Sequence, residues 1–243
     1  SPKRDQSDRT LLALADVCLK LNRSANATTA LERVLAEFPK SAAAEEATFR
    51  LGEAVYAAGD YPKAEQYYRQ AMTSWPAGAF AAHSTYGLGW SLFKQNKLDD
   101  TVAAMNVLAT KHAKSDLATK GIYLKGMAEF QLQKYDDAIS DARRFLASKP
   151  ARKEASDARY LLGLSLAAKR DFSNAAKEFE GILIDDANYA DADKVLYELG
   201  WAWQELGDSN KSLATFERLA KEQPKSPLAA ESVFRVAESH YEA

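Results

Sequence analysis

A chain of 243 residues with 47% hydrophobic and 27% charged residues, but only 11 glycines and 7 prolines, has the composition of a folded, helix-rich protein and not of a disordered one. Lysine and arginine (32) nearly balance aspartate and glutamate (34) without any basic run, which argues against the concentrated positive surface that nucleic acid requires. No apolar stretch approaches the roughly 20 residues needed to span a bilayer, so direct membrane insertion is not expected, and the single Cys18 excludes an internal disulfide or a cysteine-rich zinc site.

Taken in chain order, the sequence falls into rows of 37 residues: 2–38, 39–75, 76–112, 113–149, 150–186 and 187–223, with a lone segment 224–243 at the end. Pro2, Pro39, Pro76, Pro150 and Pro224 open rows, with Ala113 and Ala187 substituting. Gly52, Gly89, Gly126, Gly163 and Gly200 share one column, flanked by Ala15 and Ala237. Leu14, Leu51, Leu88, Leu162, Leu199 and Val236 form another, interrupted by Lys125. No insertion breaks the register.

Each row predicts two helices. In the second row the first of them, helix A, is expected over about 42–57, with Ser41 at its N-cap; Ser115 and Ser226 hold that place elsewhere. Helix A ends at Gly59, a position suited to the left-handed conformation that Asn22, Asn96 and Gly207 also favour, whereas Gln133 and Arg170 fit it less well. Asp60, Asp171 and Asp208 are placed to cap the second helix, B. Its buried stripe reads Ala64, Tyr68, Ala71 and Met72 in the second row and Ala175, Phe179, Ile182 and Leu183 in the fifth. Helices joined by so short a turn lie antiparallel, and the glycine column is expected at their closest crossing. The fold class that follows is all-α, a right-handed α-solenoid of helical hairpins with about 13 helices. The last helix, with Val233, Phe234, Val236 and Tyr241, reads like an interior one. A piece of a longer array, or self-association through the terminal helices, is therefore expected.

Catalytic chemistry finds no candidate. There is no phosphate-binding G-x-x-x-x-G-K-[ST] and no helical H-E-x-x-H. His83, His112 and His240 lie in different rows, without a second ligand four residues on, and no metal or cofactor is expected. The pairs Asp99-Asp100 and Asp136-Asp137 open a helix B, where acidic groups complement the dipole, while Asp185-Asp186 reads as a solvated turn.

Residues 51–76, LGEAVYAAGDYPKAEQYYRQAMTSWP, resemble a near-consensus tetratricopeptide repeat through Leu51, Gly52, Tyr56, Gly59, Asp60, Tyr61, Ala64, Tyr68, Ala71 and Pro76. The resemblance extends over essentially the whole chain. The 37-residue period with P-x-S-x-x-A-x-x-A after the proline resembles a bacterial envelope subgroup that includes BamD-like outer-membrane assembly lipoproteins and Tol-associated periplasmic coordinators. It implies a periplasmic or cell-envelope location, with the cytoplasm as the alternative. It also implies a non-catalytic scaffold that binds protein or peptide segments along a concave wall lined by helix A. Carried over by position, that wall holds Phe49, Tyr86, Tyr123, Tyr160 and Tyr197, then Glu53, Trp90, Met127 and Trp201, then Tyr56, Phe93 and Phe130. The tyrosine column has a competing role in packing between rows, and His83, Lys120 and Lys194 offer either a polar edge or a solvated face. The carboxylate-gripping chemistry of chaperone-binding members is not implied, because Phe49, Glu53, Tyr86 and Trp90 stand where its cationic side chains would be. Envelope glycans stacked on the groove aromatics, or a spacer role, are the alternatives to a peptide ligand.

Overall fold

The computed structural model describes the backbone of residues 2–21 and 23–242, and the side chains of residues 7–21 and 23–238. Among the described residues there are thirteen α-helices and no strand: α1 (Pro2–Lys20), α2 (Ser24–Glu37), α3 (Ala42–Ala57), α4 (Tyr61–Ser74), α5 (Ala81–Lys94), α6 (Leu98–Lys111), α7 (Asp116–Gln131), α8 (Tyr135–Ala147), α9 (Arg152–Ala168), α10 (Phe172–Asp185), α11 (Ala192–Glu205), α12 (Ser209–Glu222) and α13 (Pro227–Glu242). Odd-numbered helices are the helix A of each row and even-numbered ones the helix B. The chain forms two compact units, Ser1–Ala128 and Glu129–Ala243, with the division inside α7. In each unit, the packed helix pairs are sequential neighbours, supplemented by the successive A helices α1 with α3, α3 with α5, α9 with α11, and α11 with α13. That is the pattern of hairpins stacked in chain order.

The turn from A to B has one geometry in every row where it is described. Gly59, Asn96, Gln133, Arg170 and Gly207 all have φ between 58° and 83°. The next N–H then reaches back five residues: Asp60 to the Val55 carbonyl, Lys97 to Leu92, Lys134 to Glu129, Asp171 to Leu166 and Asp208 to Trp203, at 2.8–3.0 Å. These are Schellman bonds, which satisfy carbonyls left open at the helix end. Gln133 and Arg170 thus adopt the same left-handed turn as glycine; Asn22 lies outside the described residues. Asp60, Asp171 and Asp208 each accept a hydrogen bond from the backbone N–H three residues on, capping α4, α10 and α12. Ser115 and Ser226 accept from the N–H two residues on, whereas Ser41 sits at the N-cap of α3 without a side-chain bond.

In every row but the fourth, where Ala142 stands, helix B carries a large side chain at one column. A Cβ on Gly52 would lie 2.7 Å from the Tyr68 ring, on Gly89 2.3 Å from Met105 Cε, on Gly163 2.4 Å from the Phe179 ring and on Gly200 2.7 Å from the Phe216 ring. The expected close crossing is therefore a seat for a side chain, more than an approach of two backbones. In the first row the residues are exchanged for Ala15 opposite Leu31, both buried in the same cluster. Several buried hydroxyls bond to the backbone: Thr48, Thr85 and Ser165 donate to the carbonyl four residues back, and Ser212 crosses from α12 to the Gly200 carbonyl at 2.9 Å, whereas the buried Ser84 hydroxyl on α5 has no partner among the described residues. Asp185 is largely exposed and Asp186 half-buried at the end of α10, but both are engaged. Asp185 pairs with Arg159 at 2.6 Å and Asp186 accepts from Ser156 at 3.0 Å, tying the end of α10 to α9.

Candidate functional site

In the first unit, α3, α4 and α5 leave an open pocket of about 580 Å3. Glu53 and Tyr56 enter it from α3, Tyr68 from α4, and Trp90 and Lys94 from α5, around the bare backbone of Gly87. A Cβ at Gly87 would meet the Tyr68 ring at 2.5 Å, so the glycine lets that ring pass beneath α5 and form the floor. Tyr56 meets the Tyr61 ring edge-on at 5.2 Å, and Trp90 meets Tyr86 and Phe93 at 6.4 and 5.9 Å with near-perpendicular planes. These contacts hold the aromatic walls in place while leaving them half exposed.

The electrostatics of this pocket centre on Glu53. Desolvation raises its carboxyl above the ordinary range, opposed by the neighbouring His83 and Arg50. Arg50 is itself engaged by Asp16 and Glu46. Burial also raises the Tyr68 and Tyr56 phenols, with Glu53 adding to the effect at Tyr68 and neighbouring tyrosines at Tyr56. All of the phenols are therefore neutral at physiological pH, and Glu53 is the pocket's acidic group.

Of the residues predicted from sequence to line a binding wall, Glu53, Tyr56 and Trp90 meet at this pocket. Phe49 does not: it is buried in the core, stacked on Phe80 at 5.1 Å. Tyr86 and Phe93 support Trp90 from the side. Tyr123 and Met127 are half-buried on α7. In the second unit Phe130 packs near Tyr135 at 5.7 Å, and Tyr160 lies 6.0 Å from the Phe179 ring. Tyr197 and Trp201 both meet Phe216, and the Arg235 guanidinium sits over the Trp201 ring at 4.7 Å. Lys194 is exposed and paired with Asp191. Sequence reasoning missed Tyr68, Gly87 and Lys94 as pocket residues. Tyr68 read as core, which it also is, and Gly87 lay inside a helix with no turn to explain it; the signal was a glycine outside the repeat column. Among the described residues no group of three or more histidine, cysteine or carboxylate side chains could hold a metal ion, and no helix is long and apolar enough to cross a membrane.

Two family models described as tetratricopeptide repeat match the chain, one over residues 12–79 and 123–193 and the other over 84–115 and 194–226. The chain belongs to the tetratricopeptide repeat family. Its fold is the all-α class of that family, as solved tetratricopeptide structures confirm. A tetratricopeptide repeat protein from Parabacteroides merdae aligns over 98% of this chain and 92% of its own, at 14% identity and a TM-score of 0.71. PilW, a type IV pilus biogenesis factor, aligns over 94% of this chain and 99% of its own, at 18% identity and a TM-score of 0.73. YrrB, a tetratricopeptide protein with an unusual peptide-binding site, aligns over 83% of this chain and 96% of its own, at 16% identity and a TM-score of 0.65. No curated protein sequence matches the chain. Tetratricopeptide proteins generally mediate protein–protein interaction, and the family is generally non-catalytic.

Proposed function

We propose that this protein is a non-catalytic scaffold that captures an extended peptide segment of a partner protein, with one side chain of that segment anchored in the pocket between α3 and α5. The observation that carries this reading is the pocket itself. Aromatic residues of two successive A helices, Tyr56 and Trp90, face a common space floored by the Tyr68 ring, which the bare backbone of Gly87 admits. Rigid aromatic walls supply large contact area at low entropic cost, which is how peptide anchors are held. The place we propose for it is the bacterial periplasm or cell envelope, supported by the 37-residue row with its P-x-S-x-x-A-x-x-A opening and by the fold shared with a pilus biogenesis factor. Self-association through exposed terminal helices belongs to the same proposal, since Leu14, Val17 and Leu21 on the first A helix and its following turn, and Val233 and Phe234 on the last, are exposed.

The test is selection from a sequence-unbiased displayed peptide library against the parent, counter-screened with Trp90→Ala. The expected result is a family of peptides that bind the parent and lose at least about tenfold in affinity on the variant, the loss of one aromatic anchor. Selected peptides that bind both proteins equally would overturn the pocket assignment. Retention of envelope glycan strands in place of peptides would replace the reading with a glycan-binding one, and no binder of either kind would leave a spacer.

A further inference from the structure

We infer that the pocket of the first unit is a cation cage, and that the anchor it takes is the guanidinium of an arginine side chain on the partner peptide, with an acidic residue beside it. This rests on the reading of that pocket as a peptide site. Three aromatic rings, Tyr56, Tyr68 and Trp90, bound the space, and the Glu53 carboxylate stands among them. The negative faces of aromatic rings attract a cation, and a carboxylate in the same wall completes the complement. An anchor that was only apolar would desolvate this carboxylate further and add nothing to the influence of His83 and Arg50 on it, which is unfavourable. Glu53 makes no ion pair among the described residues, and its neighbour Arg50 is held by Asp16 and Glu46.

The chain carries an internal version of the same arrangement. Glu53, Trp90 and Trp201 share one column of the repeat, and Gly87 and Arg235 share another. In the last pair of A helices Arg235 lies over the Trp201 ring, held there by Glu231 and Glu238. In the first unit the place of Arg235 is taken by Gly87, which has no side chain; the Tyr68 ring passes against it as a floor, and the space between Glu53 and Trp90 stays open. By the repeat, Glu53 stands where Trp201 stands and Trp90 where Glu238 stands, so a guanidinium brought by a partner lies between Glu53 and Trp90 as Arg235 lies between Glu238 and Trp201. Guanidinium suits the site better than ammonium because it is planar, stacks on indole and forks onto a carboxylate. Lys94 stands one turn beyond Trp90 at the rim, so the chain next to the arginine must be acidic to match it.

The experiment titrates the full chain with the capped peptide acetyl-Gly-Ser-Arg-Glu-Gly-amide and its counterparts carrying citrulline or norleucine in place of arginine, followed by chemical-shift changes of the indole N–H signals. The arginine peptide is expected to bind at least about tenfold more tightly than either counterpart. Glu53→Gln is expected to erase that difference, and Trp90→Ala to lose binding, while Trp203→Phe, outside this pocket, changes neither. Melting curves of the variants check folding, and Tyr56→Leu gives a second removal of a cage wall that does not depend on Trp90. If the norleucine peptide binds as well as the arginine one and both need Trp90, the peptide site stands and the cage falls. The cage also falls if Glu53→Gln leaves the preference intact. If none of the three peptides binds while library-selected peptides do, the cage is again overturned alone; if those also fail, both readings go.

Discussion

Gly163 and Phe179 form one of the tightest contacts in the molecule, and its energy is set by a single hydrogen. Phe179 is fully buried, and its ring edge occupies the space where a Cβ at residue 163 would stand, 2.4 Å away. The ring has no exposed side toward which to swing. Gly163→Ala is therefore expected to destabilise the protein by about 1–3 kcal/mol as overpacking, outweighing the gain in helix propensity from alanine. A lowered melting temperature measures it, and an unchanged or raised one would show that the ring yields freely. The opposite sign is expected at Gln133, whose φ of 59° places a non-glycine residue in the left-handed region at an exposed turn. Left-handed backbone costs a residue with a Cβ on the order of 1 kcal/mol or more, so Gln133→Gly should raise the melting temperature. Arg170 has the same φ column but is a poorer choice, because its guanidinium also reaches Glu205 and the Phe172 ring. From sequence these two residues looked wrong for the turn; the structure shows that the geometry belongs to the column and its Schellman bond, which override residue preference.

Between elements, successive hairpins are joined by polar contacts as well as by the core. Glu65 on α4 receives Arg69 from its own helix at 2.9 Å, Lys97 from the turn after α5 at 2.8 Å and the Gln95 amide at 3.0 Å. Burial works to raise its carboxyl, but these three hydrogen bonds outweigh burial and hold it below the usual carboxylate range. A depressed carboxyl stabilises the fold above its unfolded-state value, and that stabilisation is lost as the pH falls through the depressed one. Glu65→Gln should thus cost on the order of 1 kcal/mol at neutral pH, with the gap between parent and variant closing as the solution is acidified below the ordinary carboxylate range. Denaturant melts at a series of pH values measure that gap; a gap independent of pH would mean the charge plays no part. Much at this scale was legible beforehand. The bounds of α3 and the aspartate caps of α4, α10 and α12 follow from the proline, glycine and aspartate columns. The contacts of Asp185 and Asp186 were not legible, because their partners Arg159 and Ser156 lie on the other helix of the hairpin, 26 and 30 residues away, and belong to no recurring column.

At the scale of the whole chain the row of 37 residues specifies where each helix lies, but it does not specify what differs between rows, and the candidate site is built from differences. Phe49 and Trp201 illustrate this. The column places both on the helix-A face, yet Phe80, from an inter-row turn, covers the first, and Arg235 covers the second. Glu53, Tyr56 and Trp90 line an open pocket whose floor, the Tyr68 ring, takes the space that a side chain at Gly87 would need. The same reasoning applies to the terminal helices. In inner rows the column of Leu14 is buried, as at Leu51, Leu88, Leu162 and Leu199, and the column of Phe234 is covered, as at Phe49. On α1 the first column is open at Leu14, 47% exposed, and on α13 the second is open at Phe234, 60% exposed. Removing such side chains from water is worth roughly 25 cal/mol per Å2, so a second copy that covers either face gains several kcal/mol before the cost of association. Sedimentation velocity over a hundredfold range of concentration should show a species heavier than the monomer in the parent. Charged substitutions separate the faces: Leu14→Glu with Val17→Glu for one end, Phe234→Glu for the other. If association uses both faces head to tail, either set abolishes it; if it pairs like with like, only one does. A parent that sediments as a monomer throughout would exclude self-association through these helices.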